Sequence, residues 1–194
     1  MNIKIIFATL SSFAAIFGII PYVIDIFKGK TKPHSYSWLI WAILQIIGAV
    51  SMFSIGAGWG ALSVGVGAVL CSFIFILSLK YGTHNIKIFD TICLIGALIA
   101  IVVYFFLHNP VLAVLIVALV DLLGSLPTLR KAYEEPETET ASTYMFSFFS
   151  TVLALLALSI FTFENSLYLI SITITNALSV IIILYRRREL KKLV

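Results

Sequence analysis

Seven apolar stretches of about 20 residues each, at 4–27, 37–55, 60–79, 88–107, 110–129, 142–162 and 166–185, leave this chain few folds to choose from. A hydrocarbon core of about 30 Å is crossed by about 20 helical residues. Inside it every backbone polar group must be satisfied, which limits spanning structures to helices and closed barrels. Hydrophobic residues make up 61% of the 194 and charged residues 11%, well short of the roughly 25% charged of a soluble domain. The expectation is an all-α polytopic membrane protein with seven transmembrane helices.

Asp121-Leu-Leu-Gly124-Ser-Leu-Pro127-Thr128 interrupts the fifth stretch with a carboxylate and a proline. An offset of 106 positions carries Gly18 to Gly124 and Pro21 to Pro127. The same offset, without a gap, pairs Phe27 with Tyr133, Ser37 with Thr143, Trp38 with Tyr144 and Lys80 with Arg186. This is the mark of an internal repeat. The expected organisation is a first three-helix bundle over 1–80, a linker helix over 81–108, a second three-helix bundle over 109–186 and a basic tail over 187–194. An odd linker keeps the two bundles parallel, related by an axis along the membrane normal.

Twelve of the 13 cations fall on one side of this arrangement and only Lys4 on the other. The positive-inside rule then puts the N-terminus outside and the C-terminus in the cytoplasm. The expected location is the plasma membrane, in a bacterium the inner membrane. The net charge of +4 reports this topology, and no nucleic-acid partner is expected. The Arg186–Lys192 cluster can also touch anionic lipid heads.

Asp121 stands 11 residues after Pro110, about 16 Å along the helix and near the midplane. A carboxylate there costs about 2.5–3.5 kcal/mol on insertion scales and usually lines a cavity or pathway; the alternative is a neutral acid bonded to a neighbouring helix. Asn176 is an amide some ten residues from either end of the seventh stretch. Gln45 lies on one side of the second helix with Trp38 and Trp41. Tyr144, Ser147 and Thr151 share a face of the sixth. Each reads either as a solute contact or as glue between helices. Pro21 and Pro127, with Gly18 and Gly124, are candidate hinges.

The remaining polar groups read as bland. Trp38 and Trp41 sit at the level of an aromatic belt. His34, His84 and Asp90 read as surface groups, Asp25 as an interfacial counter-charge, and the acidic loop Arg130–Thr140 as a solvated connector. Cys71 and Cys93 lie inside spans and read as small packing residues. No metal-ligand spacing, phosphate loop or nucleophile elbow is present, so neither enzyme activity nor a cofactor nor a metal is expected.

Two three-helix units joined by a lone fourth helix, with a repeated proline near the cytoplasmic ends of helices one and five, resemble the SWEET and PQ-loop superfamily. The PQ dipeptide falls at Pro21-Tyr22 and Pro127-Thr128, with the glutamine replaced. Asn176 matches the asparagine that SWEETs carry in helix seven, and Leu70 stands at the equivalent of its partner in helix three. The resemblance implies alternating access, with the two bundles rocking about a central cavity. Proton-coupled amino-acid exporters of the PQ-loop type are similar in using membrane carboxylates.

The expected function is transport of a small polar solute such as a sugar, amino acid or vitamin. Asp121, Asn176, Gln45, Tyr144, Ser147 and Thr151 would contact it, with Asp121 binding a proton or a positive charge. The alternative is a membrane receptor or scaffold that binds a protein or lipid partner through the acidic loop or basic tail. One chain suffices to close a cavity, so a monomer can work alone; oligomers stay open.

Overall fold

The computed structural model describes residues 3–54, 59–106, 110–158, 161 and 163–192. Among these there are seven α-helices: α1 (Ile3–Phe27), α2 (Ser35–Ser54), α3 (Trp59–Tyr81), α4 (Ile88–Phe106), α5 (Pro110–Glu134), α6 (Ala141–Ala157) and α7 (Phe163–Lys192). A 3-10 turn over Pro136–Thr138 joins α5 to α6. Four helices are long and apolar enough to cross a membrane: α1, α3 over Val64–Tyr81, α4, and α7 over Ser166–Lys192. Large apolar side chains face outward along them, among them Phe13, Phe17 and Ile24 of α1, Ile92 and Ile99 of α4, and Ile181 of α7. A surface of this kind is unfavourable in water and natural in lipid, consistent with a helical membrane protein.

Three ends differ from the expectation. α5 and α7 run on past the apolar stretches, to Glu134 and Lys192. The basic tail is therefore no separate segment but the last turns of α7, where Arg187 donates to the Pro136 carbonyl at 3.1 Å. α6 stops at Ala157, short of 162, because Leu158 takes an extended backbone (φ −56°, ψ 130°). The Lys4 ammonium donates to the freed Leu158 carbonyl at 2.8 Å. The ends expected at 55 and 107 lie outside the described residues. α1 ends in a turn that needs its glycine: Gly29 has φ +69°, and the Gly29 and Lys30 amides close on the Ile26 and Asp25 carbonyls, the Schellman pattern.

α3 lies between α1 and α2, and α7 between α5 and α6; among the described residues the backbones of α1 and α2, and those of α5 and α6, stay apart. α1 packs on α6, α5 packs on α2, and α4 lies against α5 and α2. Two glycines set the crossings. A Cβ on Gly18 would stand 2.6 Å from the Cβ of Phe146, and one on Gly124 would stand 2.7 Å from Cγ2 of Ile40. Helix pairs in a membrane come this close only over small residues.

The end of the molecule that carries the 28–34 and 82–87 loops is held by ion pairs, and here two expectations are overturned. Asp90 and His34 are both fully buried. Arg130 reaches from α5 to grip Asp90 with both arms, Nε to Oδ1 at 2.8 Å and Nη2 to Oδ2 at 2.6 Å, while the Lys87 amide donates to Oδ2 at 2.8 Å. A bidentate guanidinium pair can be buried because it satisfies both oxygens of the carboxylate. His34 Nε2 lies 3.3 Å from Asp90 Oδ2. Burial pushes the imidazole from 6.5 down to about 4 despite the pull of Asp90, so His34 is neutral at rest.

Two outcomes follow. Gly18→Ala or Gly124→Ala forces its crossing apart and destabilises the protein by about 1–3 kcal/mol, as overpacking does; thermal unfolding in detergent reads this, and Gly18→Ala costs less in a Phe146→Gly background, which lacks the Cβ it would meet. His34 binds its proton more tightly in the unfolded chain than in the fold. Stability is therefore full above pH 6.5 and lost as pH falls toward 4. From pH 7.5 to 5.5 the loss is on the order of 1 kcal/mol, visible as a lower melting temperature, and His34→Gln flattens this part of the profile.

Candidate functional site: a polar cavity between the helices

The helix packing leaves an interior cavity of about 160 Å³ whose wall comes from α1, α2, α3, α5, α6 and α7. Asp121, Asn176, Gln45, Tyr144, Ser147 and Thr151 all line it. The structure thus brings together six residues that lie on four helices and span more than 130 positions of sequence. Leu70 lines it too, so the two positions related by the 106-residue offset, Leu70 and Asn176, face one space.

Asp121 is 2% exposed. Its Oδ2 accepts the Ser171 hydroxyl from α7 at 2.8 Å. Asn176 donates its amide to the Ile172 carbonyl one turn back at 2.9 Å. Thr151 bonds to the Ser147 carbonyl at 3.1 Å and to the hydroxyl of Thr173 at 2.9 Å. Gln45 lies flat against Gly67 of α3, where a Cβ would meet its amide carbon and nitrogen at 3.0 Å. Gly67 is the residue that makes room for Gln45 in the wall. Gly60 and Ser63, on the same small-residue stripe of α3, lie outside the residues whose side chains are described.

Trp38 and Trp41 belong to this wall and not to a lipid-facing belt. Trp38 is 5% exposed, and its ring meets that of Trp41 edge to face with centroids 5.2 Å apart. The belt reading fails because the two tryptophans share a helical face with Gln45, and that face turns inward. Tyr168 and Cys71 also line the cavity, close enough to Asp121 to feel its charge.

A closed floor lies beneath Trp38 and Tyr144. The Trp38 indole donates to the Tyr22 hydroxyl at 3.2 Å. Tyr22 and Tyr144 both donate to Oε2 of Glu139, at 3.3 and 2.9 Å. Lys131 donates to Oε1 at 2.7 Å and to the Thr138 carbonyl at 3.0 Å. Tyr22 and the side chains of Lys131 and Glu139 are sealed from solvent. The segment read as a solvated connector is instead folded under the helices, with its Glu139 as the acceptor of the whole floor. A carboxylate is tolerated there because three donors meet it, one of them the opposite charge of Lys131.

The proline and glycine positions border this floor. Pro21 precedes Tyr22, and Pro127 stands four residues before Lys131, both within continuous helices. A proline deprives its helix of one backbone donor. Next to it, the Gly18 carbonyl accepts the Thr143 hydroxyl of α6 at 2.8 Å. Gly18 and Gly124 serve here as crossing points.

Comparison with protein-family models, with curated proteins and with solved structures finds no match to this chain.

Breaking the floor on one side has a defined cost. Lys131→Met leaves Glu139 buried without its counter-charge and costs about 3–5 kcal/mol, whereas Lys131→Met with Glu139→Gln restores most of it. Thermal unfolding of the two variants separates these outcomes; equal losses would show that the pair is not coupled.

Proposed function

We infer that this protein carries a small polar solute across a membrane by alternating access between two parallel three-helix units. The observation that carries the reading is the cavity: a space between the helices walled by both units, with a carboxylate and two amides at mid-helix depth. Solute sites of repeat-built transporters lie at such positions between repeats.

The helix neighbours support the repeat. α1, α2 and α3 are arranged among themselves as α5, α6 and α7 are, with the third helix in the middle of each set. Exchanging the units turns the α1–α6 contact into the α5–α2 contact. It likewise turns Gly18 against Phe146 into Gly124 against Ile40, each partner displaced by 106 positions. Chance placement does not return the same residue pair under the same offset. This favours seven spans in a SWEET-like arrangement, with α4 as linker.

The cation-rich loops lie at the floor end and Lys4 at the opposite end of α1. By the positive-inside rule the floor is cytoplasmic, and the cavity, which extends away from it toward Ser11, Ala154 and Tyr168, faces outward. Alternating access then requires the Tyr22–Glu139–Tyr144–Lys131 lock to part while the Pro21 and Pro127 turns flex. The receptor reading has less support, because Glu139 is buried and Glu134 is bound to Lys87 and Arg130.

Cys71 in the cavity, with Cys93→Ala removing the other thiol, makes a native reporter. A membrane-impermeant maleimide labels Cys71 from the outside in oriented vesicles. Glu139→Gln opens the floor and brings labelling from the cytoplasmic side. A solute that raises the melting temperature in a screen of sugars, amino acids, amines and vitamins also protects Cys71 and exchanges in counterflow. Labelling indifferent to side and to Glu139→Gln, with no stabilising solute in any class, sinks the transport reading.

A further inference from the structure

We propose that the cavity is built for an organic cation, a small protonated or quaternary amine, with Asp121 as its counter-charge. The proposal rests on the transport reading for the cavity's role and adds the chemistry of what enters it. Three independent features of the wall point the same way.

The first is charge. Asp121 is the one carboxylate among the lining residues, and no lysine, arginine or histidine lines the cavity. Its side chain has a single hydrogen-bond partner among the described residues, the Ser171 hydroxyl. A hydroxyl fills one of about four acceptor positions on a carboxylate and neutralises nothing. The cations nearest in sequence are committed elsewhere, Arg130 to Asp90 and Glu134 and Lys131 to Glu139. A buried carboxylate without a positive partner is costly, and its complement is either a proton or a cation brought in through the cavity; the rest of the wall favours the cation.

The second is the direction of the hydrogen bonds. The hydroxyls of Thr143, Ser150, Thr151, Thr175 and Ser179 all donate to backbone carbonyls, and the Asn176 amide does the same. The Trp38 indole and the Tyr144 hydroxyl donate away from the cavity, into the floor. What these groups leave for a ligand is oxygen lone pairs. The donors left on the wall, the Gln45 amide, the Trp41 indole and the Ser147 and Tyr168 hydroxyls, are all neutral, so a carboxylate or phosphate would find no counter-charge there, whereas an ammonium finds both lone pairs and Asp121.

The third is the aromatic lining. Trp38, Trp41, Tyr144 and Tyr168 border the same space. Ring faces attract a desolvated cation by about 0.5–2 kcal/mol each and offer an anion nothing. Aromatic faces together with 160 Å³ suit an alkylammonium group better than a bare metal ion, which would be held by oxygens alone.

Cys71 again supplies the test, in the Cys93→Ala background. Its reaction is followed with a cationic methanethiosulfonate, the trimethylammonium-ethyl reagent, and with the anionic sulfonato-ethyl reagent. Each rate is divided by that of the same reagent with a free thiol. The ratio of the two normalised rates cancels the reactivity of Cys71 itself and reports the potential where the reagent sits. The expected ratio favours the cation at least tenfold and falls toward one in Asp121→Asn. In parallel, choline raises the melting temperature of the wild type and its neutral isostere 3,3-dimethylbutan-1-ol does not, a comparison that needs no variant to fold. A ratio near one in the wild type, a ratio unchanged in Asp121→Asn, or equal stabilisation by the isostere overturns the cation while leaving a solute cavity in place. Failure of both reagents to reach Cys71 removes the cavity and the transport reading with it.

Discussion

Four segments meet at the carboxylate of Glu139, and the rest of the interior is arranged above them. Tyr22 comes from α1, Tyr144 from α6, Lys131 from α5, and Glu139 itself from the residues after the 3-10 turn. In a low-dielectric interior such a node holds only while complete, since any one donor removed leaves the others facing an unpaired charge. Its neighbours in sequence bind in other directions. Arg130, one residue before Lys131, is bound to Asp90 at the start of α4. The last turns of α5, beyond Pro127, are therefore fastened on two sides. Any bend at Pro127 would carry α4's end and the 136–140 segment along.

The two glycine crossings have matching geometry and unequal polar dressing. At the α1–α6 crossing Thr143 donates to the Gly18 carbonyl, and the hydroxyls of Ser11 and Ser150 bond each other's backbone carbonyls at 2.8 Å. At the α2–α5 crossing the residue matching Thr143 is Ser37, whose buried hydroxyl has no partner, as has that of Thr128 nearby on α5. A buried hydroxyl left unpaired costs about 1–3 kcal/mol. One crossing is stitched by hydrogen bonds and the other rests on apolar contact against Ile40. Separation of the α2–α5 crossing forfeits fewer bonds and relieves two unpaired groups, which makes it the easier of the two to part.

Apolar length and helical spacing carried most of the architecture, because both act within a single helix and can be read along one dimension. That Asp121, Asn176, Gln45, Tyr144, Ser147 and Thr151 converge on one cavity was legible for a simple reason: a polar side chain at mid-span must find a polar surrounding. His34, Asp90, Lys131 and Glu139 were misread for the converse reason. They sit near helix ends, where water is the cheapest partner, and only the third dimension shows that each has a buried one. Trp38 and Trp41 carried a misleading signal, since an aromatic near a helix end serves a lipid belt or an interior wall equally well. Their i, i+7 and i, i+4 relations to Gln45 were the discriminating feature.

The lone pairs that serine and threonine turn toward the cavity follow from the same constraint that makes the chain helical. With no water in the bilayer core, a serine or threonine on a helix turns its proton to a carbonyl three or four residues back, as Thr151, Thr175 and Ser179 do here. A row of hydroxyls therefore presents lone pairs to whatever space it borders. Hydroxyls turned this way offer the same lone pairs at each position and distinguish little along the wall. Discrimination then falls to the few groups that break the pattern: a carboxylate held by one hydroxyl, a glutamine wedged against a glycine, and a pair of indoles at right angles. They stand on two helices, α2 and α5, one from each half of the chain, so under the transport reading the geometry that selects a solute is also the geometry that would change when the halves move.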